Sequence, residues 1–167
     1  MTTTELPRLF PTDRLVGTDI EIKATQAECD ALAARLLLPG VAELYCRWHI
    51  TALPEGIFAA KGLLKAVITQ TCVVSLEPFL TRVEDRFEVR FVPESLLGEE
   101  DEHEEIDEIP YQGNEIDLGE ATAEQLALSL DPFPRKEGAE LHPSAVEDLS
   151  GPFAALATLK AKIPDPK

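Results

Sequence analysis

The sequence predicts an α+β fold: an antiparallel, meander-like sheet with two to three helices and one long acidic loop. Three observations carry this expectation. Residues 18–24, 44–51 and 81–92 alternate apolar and polar side chains with the period of a half-buried strand. Short turn signals, such as Pro54-Glu55-Gly56 and the run LEPF at 76–79, join the extended segments. A helical pattern precedes the meander, which makes the class α+β.

Each element follows from its residues. In the first strand Ile20, Ile22 and Ala24 alternate with Asp19, Glu21 and Lys23. The run TQAECDALAARLLL places Thr25 and Glu28 at capping-box spacing, with Cys29, Leu32, Ala33, Leu36 and Leu37 on one helical face. Pro39-Gly40 stops that helix. In LYCRWHIT, Leu44, Cys46, Trp48 and Ile50 face one way, and Tyr45, Arg47, His49 and Thr51 the other. An extended stretch from Ile57 to about Leu76 is more densely apolar, and Gly62 predicts a bulge or bend within it. TRVEDRFEVRFV is the clearest strand, with Val83, Phe87, Val89 and Phe91 inward and Arg82, Glu84, Arg86, Glu88 and Arg90 outward. The predicted core is therefore Ile20, Ile22, Leu32, Leu36, Leu44, Trp48, Ile50, Val83, Phe87, Val89 and Phe91.

Residues 94–110 break the pattern. Nine of the fifteen residues at 94–108 are acidic, and like charges at that density resist packing, so a mobile loop is expected. Order resumes with Thr122 and Gln125 at capping-box spacing and Leu126 and Leu130 as the stripe of a short helix that ends at Asp131-Pro132. GPFAALATLK at 151–160 reads as a small third helix with Pro152 at its first position, and 161–167 as a frayed tail. A chain of 167 residues fits a single domain, 1–167, with a proper core.

The net charge is −16, and its placement matters more than its size. Residues 91–134 hold fourteen Asp and Glu and no Lys or Arg, while the rest of the chain is near neutral. A polyanion repels a phosphate backbone, so indiscriminate nucleic-acid binding, DNA included, is disfavoured and a basic protein partner is easier. No apolar run approaches the roughly 20 residues of a membrane helix. The start MTTTELPRLF lacks the pattern of a signal peptide. Cys29, Cys46 and Cys72 are an odd count at wide spacing, which is no disulfide framework and fits a reducing compartment. The expectation is a cytoplasmic protein with no membrane contact.

Motif chemistry is sparse. A structural zinc site needs four ligands, usually in close pairs. Three residues after Cys72 stands Ser75, so no pair forms, and no metal or other cofactor is expected. Cys72 reads as a core residue within an extended segment. His49, His103 and His142 sit in no catalytic signature, and no glycine-rich phosphate loop exists. A dense, solvated acidic run is a poor setting for a tuned acid–base pair. These features disfavour an enzyme and a small-molecule substrate. The row Arg82, Arg86 and Arg90 could contact phosphates, but Glu84 and Glu88 interleave it, which predicts a cross-strand ion-pair ladder instead.

The segments GLLKAVITQTCVVSLEPF, VEDRFEVRFVP, an acidic stretch, EIDLGEATAEQLALSLDPFPR and GPFAALATLK, in that order, resemble the YceD family, the large ribosomal RNA subunit accumulation proteins of bacteria and plastids. The resemblance spans about residues 62–160. It implies a role in accumulation of 23S rRNA, hence in ribosome biogenesis, and implies no enzymatic activity. Many family members carry Cys-x-x-Cys where this chain has Cys72 and Ser75, and some carry a second Cys-rich element where it has KEGAEL. Both departures argue against zinc here and leave Cys72, the family cysteine position, to packing.

The resulting expectation is a non-enzymatic biogenesis factor. It would engage pre-ribosomal large-subunit components, either rRNA, a basic ribosomal protein or both. A hydrolase or nuclease acting on precursor rRNA is the alternative. Turn-rich motifs outside the long strands supply the candidate binding residues Asp117, Gly119, Pro134, Arg135, Pro152 and Phe153. Glu99, Glu100, Asp101, Glu102, Glu104 and Glu105 would steer a basic partner towards them.

Overall fold

The computed structural model describes residues 4–15, 17, 19–96 and 106–140. Its strands are β1 (Leu9–Pro11), β2 (Asp19–Lys23), β3 (Gly40–Ala52), β4 (Phe58–Thr71), β5 (Pro78–Pro93), β6 (Asp107–Tyr111) and β7 (Glu115–Asp117). Among the described residues two α-helices, α1 (Gln26–Arg35) and α2 (Leu118–Leu128), and three short 3-10 turns accompany them. The main sheet has the order β2-β3-β4-β5-β6, and β1 pairs with β7 in a separate two-stranded ribbon. From β2 to β5 every pairing is antiparallel, as the meander requires; β6 joins β5 in parallel. The α+β class and the antiparallel sheet are as the sequence predicts. The proposed third helix at 151–160 lies outside the described residues.

One face of the sheet is dry. Ile20, Ile22, Leu44, Trp48, Ile50, Val89 and Phe91 are buried beneath the two helices, together with Leu32 of α1. Leu36, Val83 and Phe87, also predicted as core, are partly buried against it. The opposite face carries cross-strand ion pairs, Lys61–Glu88 at 3.1 Å and Lys65–Glu84 at 3.4 Å among them: the glutamates of the predicted ladder are paired, while Arg82 and Arg86 have no ion-pair partner among the described residues.

Gly62 does not bend β4. The register runs through it unbroken, and the bulge falls at Val41/Glu43 of β3 instead. Gly62 lies between Trp48 and Phe87 in the register. A Cβ there would sit 2.0 Å from Phe87 Cζ, so the missing side chain is the room that the Phe87 ring occupies. Through that gap Phe87 reaches Trp48 edge-on, with ring centroids 5.0 Å apart.

The first capping box forms as predicted: Thr25 Oγ1 accepts from the Glu28 N–H and Glu28 Oε2 from the Thr25 N–H. Arg8 donates twice to the Glu28 carboxylate and, with Thr25, holds its pKa down at about 2. The far end of α1 corrects the predicted face. Leu37 points to water, 90% exposed, because its φ of 54° is left-handed. Leu38 N–H reaches the Ala33 carbonyl and Leu37 N–H the Ala34 carbonyl, a Schellman cap with leucine where glycine is usual. Leu37→Gly is expected to stabilise the protein by about 1 kcal/mol, since it relieves left-handed strain without removing a contact. Urea denaturation checks this; a loss of stability would contradict the cap.

α2 starts earlier than its sequence signal. Thr122 is no cap but a fully buried residue inside the helix, accepting from Trp48 Nε1–H at 3.0 Å and donating to the Leu118 carbonyl. The cap is Asp117. The acidic segment is also shorter than 94–110 as irregular chain. Glu94–Leu96 forms a 3-10 turn, and Asp107–Tyr111 is β6, held where β5 offers it an edge. Residues 97–105, and with them the question of mobility, lie outside the described residues.

Candidate functional site

β4 ends at Thr71, and the hairpin loop to β5 begins at Cys72, where the sequence predicts extended chain to about Leu76. Cys72 N–H donates to the Glu77 carbonyl and the Cys72 carbonyl accepts from Leu76 N–H, both at 2.9 Å. Leu76 closes the turn with a φ of 60°. The Cys72 thiol is fully buried, as a packing residue would be, but it also accepts hydrogen bonds. The N–H groups of Val74 and Ser75 point at Sγ from 3.4 and 3.3 Å. The Ser75 side chain, joined by backbone donors from Ser75, Lys136 and Val74, holds the thiol down at about 6 against the opposing effect of burial.

The chain leaving α2 comes to rest on this loop. Asp131 Oδ1 accepts from Phe133 N–H, which tightens the DPFP turn. The Asp131 carbonyl accepts from Gln70 Nε2, and the Pro134 carbonyl from Val73 N–H at 2.9 Å. Lys136 Nζ then meets Glu77 Oε2 at 2.8 Å, a pair that lowers the carboxyl pKa and raises that of the amine. Two loops far apart in sequence are thus fastened into one platform. It carries Phe133, Val73, Leu76 and Leu80, which are 70%, 44%, 75% and 70% exposed, and the exposed cation Arg135.

The predicted binding residues that lie among the described residues do not converge. Asp117 Oδ1 takes three backbone N–H groups, from Arg8, Gly119 and Glu120, at 2.9 to 3.1 Å. It caps α2 and clasps the N-terminal strand to it. Gly119 is pressed against β1's approach: a Cβ there would sit 1.8 Å from the Leu6 carbonyl oxygen. Pro134 and Arg135 lie beyond the other end of α2, a helix about 16 Å long by its rise per residue. Pro152, Phe153 and the acidic residues Glu99, Glu100, Asp101, Glu102, Glu104 and Glu105 lie outside the described residues. Sequence reasoning missed the exposed apolar set Val73, Leu76 and Leu80. Its signal was the string VVSL inside a hairpin turn, where polar residues are the norm.

Elsewhere an open groove of about 930 Å³ borders Lys23, Glu43, Tyr45, Lys65, Arg82 and Glu84. Its charges are mixed in sign, and Lys65 is already paired with Glu84. His49 is exposed and bonded to Asp19. Among the described residues no three His, Cys, Asp or Glu side chains are grouped to hold a metal ion, and no helix is long and apolar enough to cross a membrane.

A family model described as large ribosomal RNA subunit accumulation protein YceD matches residues 60–160. No curated protein and no solved structure matches the chain.

Proposed function

The chain belongs to the YceD family of large ribosomal RNA subunit accumulation proteins, and on that premise we propose that it is a non-enzymatic factor that supports accumulation and processing of 23S rRNA by binding a pre-ribosomal partner. The partner is large-subunit rRNA, a basic ribosomal protein or a surface made of both, met in the cytoplasm. The observation that carries this reading is the platform: Phe133, Val73 and Leu76 exposed with Arg135 on two loops fastened together, and Leu80 exposed at the start of β5. Phe133 and Arg135 are of the aromatic and arginine types enriched at interfaces, and the aliphatic residues around them would exclude water. A guanidinium also serves either an rRNA phosphate or a protein carboxylate. The acidic stretch contributes long-range attraction for a basic partner, which added salt weakens.

Phe133→Ala and Arg135→Ala are expected to leave the fold intact and to weaken association with large-subunit precursors about ten-fold or more. In cells lacking the protein, neither variant then restores 23S rRNA as the parent chain does. Circular dichroism establishes folding, and co-purification of precursor particles reads binding. Full rescue by both variants would remove the platform from the mechanism. Specific cleavage of precursor rRNA by the purified protein with Mg²⁺, abolished by mutation, would instead favour a nuclease.

A further inference from the structure

β6 pairs only with Val89–Pro93 of β5. Residues 78–88 therefore have β4 on one side and, among the described residues, no strand on the other. Among the described residues this leaves an open edge of eleven residues. Such an edge exposes unpaired backbone N–H and C=O groups and is ordinarily blunted by charge. Here the charges on the outer face alternate in sign along the edge: Arg82, Glu84, Arg86, Glu88. Neither Arg82 nor Arg86 has an ion-pair partner among the described residues. On the inner face Phe79, Thr81, Val83, Asp85 and Phe87 are only half-buried, and Thr81 Oγ1 is a buried polar atom with no hydrogen-bond partner among the described residues.

We propose that a second copy of this chain occupies the edge, the two β5 strands pairing antiparallel about a two-fold axis at Val83 to form one continuous sheet. The sequence of the edge selects this register. With the axis at Val83 all eleven residues pair, and Arg82 of each copy faces Glu84 of the other. Thr81 then faces Asp85, giving the unpartnered hydroxyl a carboxylate acceptor, and Phe79 faces Phe87. Moving the axis to Glu84 sets Glu84 against itself and Arg82 against Arg86. Moving it to Arg82 sets that arginine against itself. An axis at Asp85 pairs Arg82 with Glu88 and Glu84 with Arg86, but it opposes two carboxylates at the axis and leaves only residues 82–88 paired. Opposite charges facing across a ladder stabilise it and like charges oppose it. The register at Val83 thus combines the greatest overlap with complementary charge and no like-charge contact.

Sedimentation equilibrium on the full chain tests this. The parent protein is expected to dimerise. Arg82→Glu and Glu84→Arg, each on an exposed face, should each weaken self-association on the order of ten-fold, because symmetry places two like-charge contacts in every dimer. Combining the two substitutions should restore it. Val83→Cys supplies an independent reading. Facing residues have Cα atoms about 4.5 to 5.5 Å apart, within reach of a disulfide, so mild oxidation should give a covalent dimer. Cys29, Cys46 and Cys72 are buried and do not compete. Arg86→Cys, which faces Leu80, should give none. A chain that is monomeric at every concentration, a dimer indifferent to both charge reversals, or a double variant as weak as the single ones overturns the proposal.

Discussion

Trp48→Ala is expected to lower the unfolding free energy by roughly 3–5 kcal/mol, a large fraction of what a domain of this size possesses. The indole is fully buried at the centre of the dry face. Its loss opens a cavity bounded by Phe87 and Phe91, whose ring centroids lie 5.0 and 5.9 Å away, and by the Thr122 side chain of α2. Phe87 is the more exposed of the two rings, and it keeps its place over Gly62 by leaning on Trp48. The cavity therefore costs more than the area of one side chain. Trp48→Phe separates the contributions: it keeps an aromatic partner for Phe87 but removes the Nε1–H donor, and should cost about 1–3 kcal/mol. Urea denaturation followed by circular dichroism measures both, because the substitution removes the only tryptophan. A loss below about 1 kcal/mol for Trp48→Ala would place the centre of the core elsewhere.

Gly119→Ala should be comparably severe, and here two principles predict opposite signs. Helix propensity alone favours alanine over glycine by about 1 kcal/mol. Against it stands the Leu6 carbonyl oxygen, 1.8 Å from where the new Cβ must be. That atom is backbone, fixed by Leu118 N–H donating to the Arg8 carbonyl and by Arg8 N–H donating to Asp117. It cannot rotate away as a side chain would. To admit the methyl group, the arm carrying Leu6 must lift from α2, exposing a side chain that is now fully buried. Overpacking of this kind commonly costs about 1–3 kcal/mol, and the displaced clasp takes the expected loss to roughly 3 kcal/mol or more. Neutral or improved stability would mean that the arm does not hold this position.

The contrast between these two sites shows what the sequence could reveal. Trp48 was legible because its strand alternates cleanly and its burial follows from period alone. The capping box at Thr25 was legible because all its partners lie within four residues. Gly119 was read as a candidate binding residue, and sequence could not show the packing reason for a glycine there, a carbonyl more than a hundred positions away. Gly62 was misread for the same cause: strand periodicity cannot say that an aromatic ring from the next strand lies across it. β1 and β7 escaped notice because each has three residues, and Pro7 and Pro11 disguise the first. In the candidate site, Pro134 and Arg135 were found from turn composition, whereas their neighbours Val73 and Leu76 depend on a loop-to-loop hydrogen bond that no local pattern announces.

The hydrogen bond from Arg8 to Asp117 joins residues 109 positions apart. Closing so long a loop is entropically late compared with the zippering of β3, β4 and β5, each of which pairs with its neighbour in sequence. During synthesis the first fifteen residues emerge early and wait while almost the whole domain follows them. Through that interval Leu6 and Leu15, both fully buried in the finished protein, stand in water, and the core lacks its final side. The molecule is therefore expected to acquire its sheet first and its N-terminus last. A nascent chain stalled before Asp117 would hold a formed meander beside an unfastened, sticky arm.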